Sequence, residues 1–236
     1  MDNLQVIEQE KTVLRWGGLA GILGGILFIL AMVVVVMGPA GEDPADLAEW
    51  VTRFPDIKAA RILENIVYLI ALILAVPLYL ALYRALRRTS LAPALFGSVL
   101  GILGLTAMII SATPHVAHHP ISDLYHMPGA TPADQAALAL MWQATRGVLD
   151  AMLYVGFLVV SIGSILLSVG MLGTPAFGKG WGGAGLVIGV VGFITAVLQM
   201  IDPPSMIGAA SYFTIILFCL VLGWKVYRES KDSQEI

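Results

Sequence analysis

All four histidines of this 236-residue chain fall in one twelve-residue stretch. It reads His115-Val116-Ala117-His118-His119-Pro120-Ile121-Ser122-Asp123-Leu124-Tyr125-His126, and Met127 follows. His115 and His119 are four residues apart, so a helical turn would put them on one face. His118 is three from His115. Imidazole nitrogen suits zinc and copper(II), and Met127 would add a soft ligand for copper(I). Asp123 could ligate, or orient a histidine from behind. The spacing is not the His-Glu-x-x-His pair of a metalloprotease. The plain alternative is a polar loop at a membrane surface.

A second group is charged and sits at the mouths of apolar runs. Arg61 and Glu64 adjoin Asn65, and Arg146 precedes Asp150 by four residues. Separations of three and four place each pair on one helix face. Charges at such depth are costly and face the bundle interior in pairs. An Arg146–Asp150 clasp or an Arg146–Glu64 bridge would satisfy them. A polar pocket, with Asn65, Gln143 and Tyr68 as neighbours, is the functional alternative.

The elements that must carry these residues follow from composition. Hydrophobic residues make up 58% of the chain and charged residues 12%. A soluble domain carries about 25% charge. This excludes an ordinary soluble enzyme and a nucleic-acid binder. A single cysteine, Cys219, excludes an intrachain disulfide framework. Six uncharged runs are long enough to cross a bilayer: Trp16–Gly41, Asn65–Tyr83, Leu91–Thr113, Ala151–Gly178, Gly180–Ile201 and Pro203–Trp224. A spanning segment must satisfy its own backbone, and these runs lack the alternation of barrel strands, so they are helices. The expected fold is an all-α membrane protein, a bundle of six transmembrane helices with short outer-face helices near 43–55 and 131–146. Residues 1–15 form a cytoplasmic N-terminal segment, 16–228 the membrane domain and 229–236 a cytoplasmic tail.

Charge orients this bundle. Nine of the thirteen Lys and Arg flank one side, among them Arg84, Arg87, Arg88 and Lys179. The other side holds Arg53, Lys58, Arg61 and Arg146 against ten carboxylates. The positive side faces the cytoplasm, so both termini lie inside a plasma-type membrane. The acidic outer side favours cations. The first run is too long for a signal h-region and is expected to stay as a permanent helix.

Two outer segments share a pattern, Asp43-Pro44-Ala45-Asp46-Leu47-Ala48 and Thr131-Pro132-Ala133-Asp134-Gln135-Ala136. Both look like helix starts: a capping residue, proline at the first position, and an acid near the positive end of the dipole. Leu47, Val51 and Phe54 form an apolar stripe, with Trp50 beside it, that would lie on the bundle or at the lipid interface. Odd-numbered spans open with glycines four apart and end near proline (Pro39, Pro114, Pro203), which suggests repeated helical hairpins. Small residues at that spacing allow close helix packing. Pro77 should kink the second span.

The segments Trp16-Gly17-Gly18-Leu19-Ala20-Gly21, Ala59-Ala60-Arg61-Ile62-Leu63 and Gly170-Met171-Leu172-Gly173-Thr174-Pro175 carry a resemblance. The chain resembles an uncharacterised bacterial family of six-helix membrane proteins, classed as a domain of unknown function. The resemblance covers about residues 12–228 and implies the topology and no activity. The expected site is an outer-face polar pocket for a metal cation, zinc or copper, or for a small ligand. An integral-membrane metal-dependent hydrolase or transferase is a second reading. A structural subunit, with glycine faces packed on a second copy or a larger membrane complex, is a third. The expected partners are therefore lipid, a metal ion or small ligand, and another membrane chain.

Overall fold

The computed structural model describes residues 3–37, 47–202 and 207–232. They form six helices and, among the described residues, no strand: α1 (Asn3–Met37), α2 (Leu47–Leu86), α3 (Leu91–Tyr125), α4 (Pro132–Leu172), α5 (Gly178–Ile201) and α6 (Ile207–Asp232). Each is long and apolar enough to cross a membrane. The protein is a multi-pass, all-helical membrane protein. Each helix packs on its neighbours in sequence, and α6 returns to α1 and closes the ring. α2 also touches α4 and α6, which draws it toward the axis.

Close backbone approach needs glycine at several crossings. A Cβ on Gly163 of α4 would sit 2.5 Å from the Gly101 nitrogen and 2.7 Å from the Gly97 carbonyl oxygen of α3. Gly18 of α1 faces the Tyr227 backbone of α6 just as tightly. The α4–α5 turn falls inside the fourth uncharged run. The helix stops at Leu172, and Gly178 takes a φ of +66°, which favours glycine.

The two ends of the bundle differ. At one, the arginine end, short turns join α2 to α3 and α4 to α5, so these four helices start level. At ~1.5 Å per residue, the 24-residue α5 rises ~36 Å from there. Counting 24 residues along its neighbours reaches Leu63 in α2, Pro114 in α3 and Leu149 in α4. Beyond that level, at the histidine end, α2, α3 and α4 continue as a three-helix headpiece.

The expected outer-face helices are therefore the first turns of α2 and α4, continuous with the spans. The expected end of the third span near Pro114 also moves: α3 runs through Pro114 and Pro120 to Tyr125. Each proline removes one backbone bond, a loss that packing can offset. Here the offset is a separate apolar cluster of Val51, Phe54, Ile57, Ile121 and Trp142, all buried. Thr131 caps α4 as expected. Its hydroxyl accepts from the Asp134 backbone at 3.2 Å, and the Asp134 carboxylate accepts from the Thr131 backbone at 3.0 Å. The matching start at Asp43–Asp46 lies outside the described residues, as do Pro39 and Pro203.

Candidate functional site

The charged pairs and three of the histidines all meet at the base of the headpiece. On α2, Arg61 Nη1 donates to Glu64 Oε2 at 2.9 Å, and the guanidinium lies over the Trp50 ring at 5.3 Å. On α4, Arg146 Nε reaches both Asp150 oxygens at 3.2 Å. Each pair closes within its own helix. Of the two arrangements expected for Arg146, the clasp with Asp150 is the one present.

The histidines ride on α3 and divide their faces. His118 is buried and stacks on Trp142 of α4, with ring centroids 3.9 Å apart. His115 lies edge-on to it at 6.0 Å. His119 packs against Phe54 of α2 at 5.4 Å. His126 turns away at the end of the helix, its Nδ1 2.8 Å from the Ser122 carbonyl. Asp123 pairs with Lys58 of α2 at 3.0 Å, so it is engaged across α2 and α3. Among the described residues, no group of three or more His, Cys, Asp or Glu side chains comes together as a metal site.

A pocket of about 220 Å³ opens between α2 and α3, lined by Arg61, Ile62, Asn65, Ile66, Leu69, His115, Val116 and His119. It joins members of the charge group to two of the four histidines. The i, i+4 spacing of His115 and His119 brings both to the same wall. The charges of Arg61 and Arg146 both act on His115 and His118, so the α4 pair flanks the same region.

One turn deeper, side chains from several helices form a polar layer. Glu64, Arg146 and Asp150 all act on Tyr212 of α6. Its ring lies 6.4 Å from Tyr68 of α2 and 4.7 Å from Phe157 of α4. Ser111 of α3 lies beside Tyr68, yet its hydroxyl donates to the Met108 carbonyl at 2.6 Å. The Ser111 oxygen keeps lone pairs that could accept from Tyr68, but no hydrogen bond of ordinary geometry reaches Tyr68 Oη, Asn65 Oδ1, His118 Nε2 or Gln199 Oε1. Buried polar atoms are nearly always hydrogen-bonded. Four of the five such atoms among the described residues belong to this end; the fifth is Arg87 Nε.

Trp142, Gln199 and Tyr212 carry no signal in their spacing. Each is an isolated polar or aromatic residue in an apolar run, and only tertiary contact brings them together. Neither a protein-family model, nor a curated protein, nor a solved structure matches the chain. The resemblance to the six-helix family thus rests on its sequence motifs alone.

Proposed function

We propose that this membrane protein binds a small ligand at the base of the headpiece, on the outer side of a plasma-type membrane. The observation that supports it is the coincidence of the α2–α3 pocket, with Asn65 on its wall, and buried polar atoms without a partner, Asn65 Oδ1 behind that wall and Tyr68 Oη a turn below. Such atoms cost stability unless water or a ligand satisfies them. Native mass spectrometry of the chain purified from its membrane tests the reading. Intact protein should carry a bound small molecule, and Asn65→Leu should lose it. Bare chain in both preparations overturns the proposal.

Orientation is tested separately. His126→Cys should react with a membrane-impermeant thiol reagent on intact cells, and Lys179→Cys should not. Labelling at position 179 would invert the bundle.

A second reading is a zinc or copper ion held by His115 and His119. Their shared pocket wall favours it. Two imidazoles leave further coordination positions to a ligand or water. Titration with zinc and with copper, beside His115→Ala/His119→Ala, decides it: equal affinities remove the metal. The accessory-subunit reading is the third: Gly17, Gly18, Gly21, Gly97, Gly163 and Gly189 meet neighbours within the chain, whereas Gly180 and Gly183 of α5 have open space beside them.

A further inference from the structure

We infer that the occupant of the α2–α3 pocket is a membrane amphiphile that enters sideways from the leaflet and offers a hydroxyl or amine to Asn65. The inference rests on the ligand-binding reading above and names the class of ligand. Three observations carry it.

The first is where the pocket opens. Ile66 and Val116 line it, yet they are 50% and 59% exposed. Residues so exposed on apolar helices form the perimeter of the bundle. The mouth therefore faces lipid between two helices. The second is depth. The pocket spans the level where α5 ends, ~36 Å from the arginine end, against a hydrocarbon core of ~30 Å. That is the depth at which the polar end of a lipid gives way to its chain.

The third is the order of the lining. α2 descends from the histidine end, so Arg61 comes first, Asn65 a turn below and Leu69 a turn below that. α3 rises past it with His115 below His119. The wall is largely apolar, and its polar members Arg61, His115 and His119 lie toward the headpiece, with Leu69 toward the membrane centre, the polarity of an inserted lipid. Asn65 Oδ1 is a buried acceptor with no protein donor. A turn of the Asn65 amide brings this acceptor to the pocket, where a neutral hydroxyl or an amine on the ligand supplies the missing hydrogen. A pocket of about 220 Å³ holds such a head and the first part of a chain, and the rest can extend past Ile66 into the bilayer.

The test uses the full chain in phosphatidylcholine nanodiscs and two photoactivatable probes. One is a monoacylglycerol with a diazirine near the glycerol end of its acyl chain. The other is glycerol bearing the same diazirine and no chain. The lipid probe should label residues 62–69 and 115–119 above the level found around Leu103, an exposed lipid-facing position on α3. Unlabelled monoacylglycerol should compete. Ile66→Trp fills the mouth at a half-exposed position, and labelling should fall about tenfold, equivalent to roughly 1.4 kcal/mol of binding. Pocket labelling no denser than at Leu103, or unchanged in Ile66→Trp, overturns the inference. Labelling by the chainless probe alone also overturns it, while leaving a polar-ligand site in place.

Discussion

The arginine end and the histidine end of this bundle solve the burial of polar groups differently. At the arginine end, most polar groups are paired across helices, beside a Lys225–Glu229 pair within α6. Glu10 of α1 accepts from Arg84 of α2 at 2.6 Å and from Arg88 at 2.9 Å. Tyr79 and Ser164 share a hydrogen bond of 2.9 Å, Ser98 donates to the Tyr79 carbonyl, and Thr89 meets Thr174 at 2.8 Å. Glycines bring the backbones together around them. At the histidine end, Arg61–Glu64 and Arg146–Asp150 close within single helices, Lys58–Asp123 alone of the described pairs there crosses from α2 to α3, and aromatic and amide groups from α2, α3 and α5 keep unpartnered atoms. One half is built to be stable, and the other retains groups that stability alone does not explain. Unsatisfied polar atoms are where function is sought.

The headpiece should respond most strongly to substitution. Trp142 stacks on His118 and packs edge-on to Phe54 at 5.0 Å. Trp142→Ala should destabilise by about 3–5 kcal/mol, the usual cost of such a truncation. The loss should be local. Hydrogen exchange should accelerate over 115–125 while 91–105 stays protected. Uniform acceleration along α3 would mean that the headpiece and the bundle are one cooperative unit.

The next effect tests the tight half. Gly163→Ala pushes a methyl into the α3 backbone, where nothing flexible can yield. Overpacking of this kind costs about 1–3 kcal/mol. Gly147 lies on the same helix at the other end, with nothing within 4 Å of its Cβ position. Gly147→Ala should be neutral or stabilising by up to about 1 kcal/mol through helix propensity. Thermal melts in detergent compare them. Equal shifts would show that the glycines of α4 are not distinguished by packing.

Legibility in the sequence follows the same division. The six spans could be read because an uncharged run has few alternatives in lipid. The cap at Thr131 could be read because its partners are three residues apart. The headpiece could not. Pro55, Pro114 and Pro120 signal breaks locally, and only the burial of Phe54, Ile121 and Trp142 against one another carries the helices through them. Of the site, Arg61–Glu64 and Arg146–Asp150 were legible as helical pairs. The Lys58–Asp123 bridge and the His118–Trp142 stack join residues on different helices, and no local spacing announces them. That His115 and His119 share a wall with Asn65 depends on how α3 rotates against α2.

A smaller effect separates the two ion pairs. The Arg61 and Glu64 side chains are 12% and 18% exposed, those of Arg146 and Asp150 41% and 29%. Arg61→Ala leaves an enclosed carboxylate without its partner and should cost about 1–3 kcal/mol. Arg146→Ala removes a more exposed pair and should cost at most about 1 kcal/mol. Melting temperatures should fall in that order. The reverse order would mean that Arg146, and not Arg61, holds the base of the headpiece.

The finest test compares one polar group from each end. Tyr79 Oη has its partner in Ser164, so Tyr79→Phe should cost about 0.5–1.5 kcal/mol. Asn65 Oδ1 has none among the protein atoms. Replacing it with an apolar group removes a desolvated acceptor that the fold does not use, and it places leucine beside Ile62, Ile66 and Leu69. Asn65→Leu should therefore leave ligand-free protein as stable as before, or raise its stability by about 1 kcal/mol. The same substitution should abolish retention of the bound molecule. Stability and binding would then move in opposite directions at one residue, as expected where a polar group is kept for its ligand. If Asn65→Leu instead lowers the melting temperature of ligand-free protein as much as Tyr79→Phe does, the amide is structural. The contrast between the two ends would then no longer point to a site.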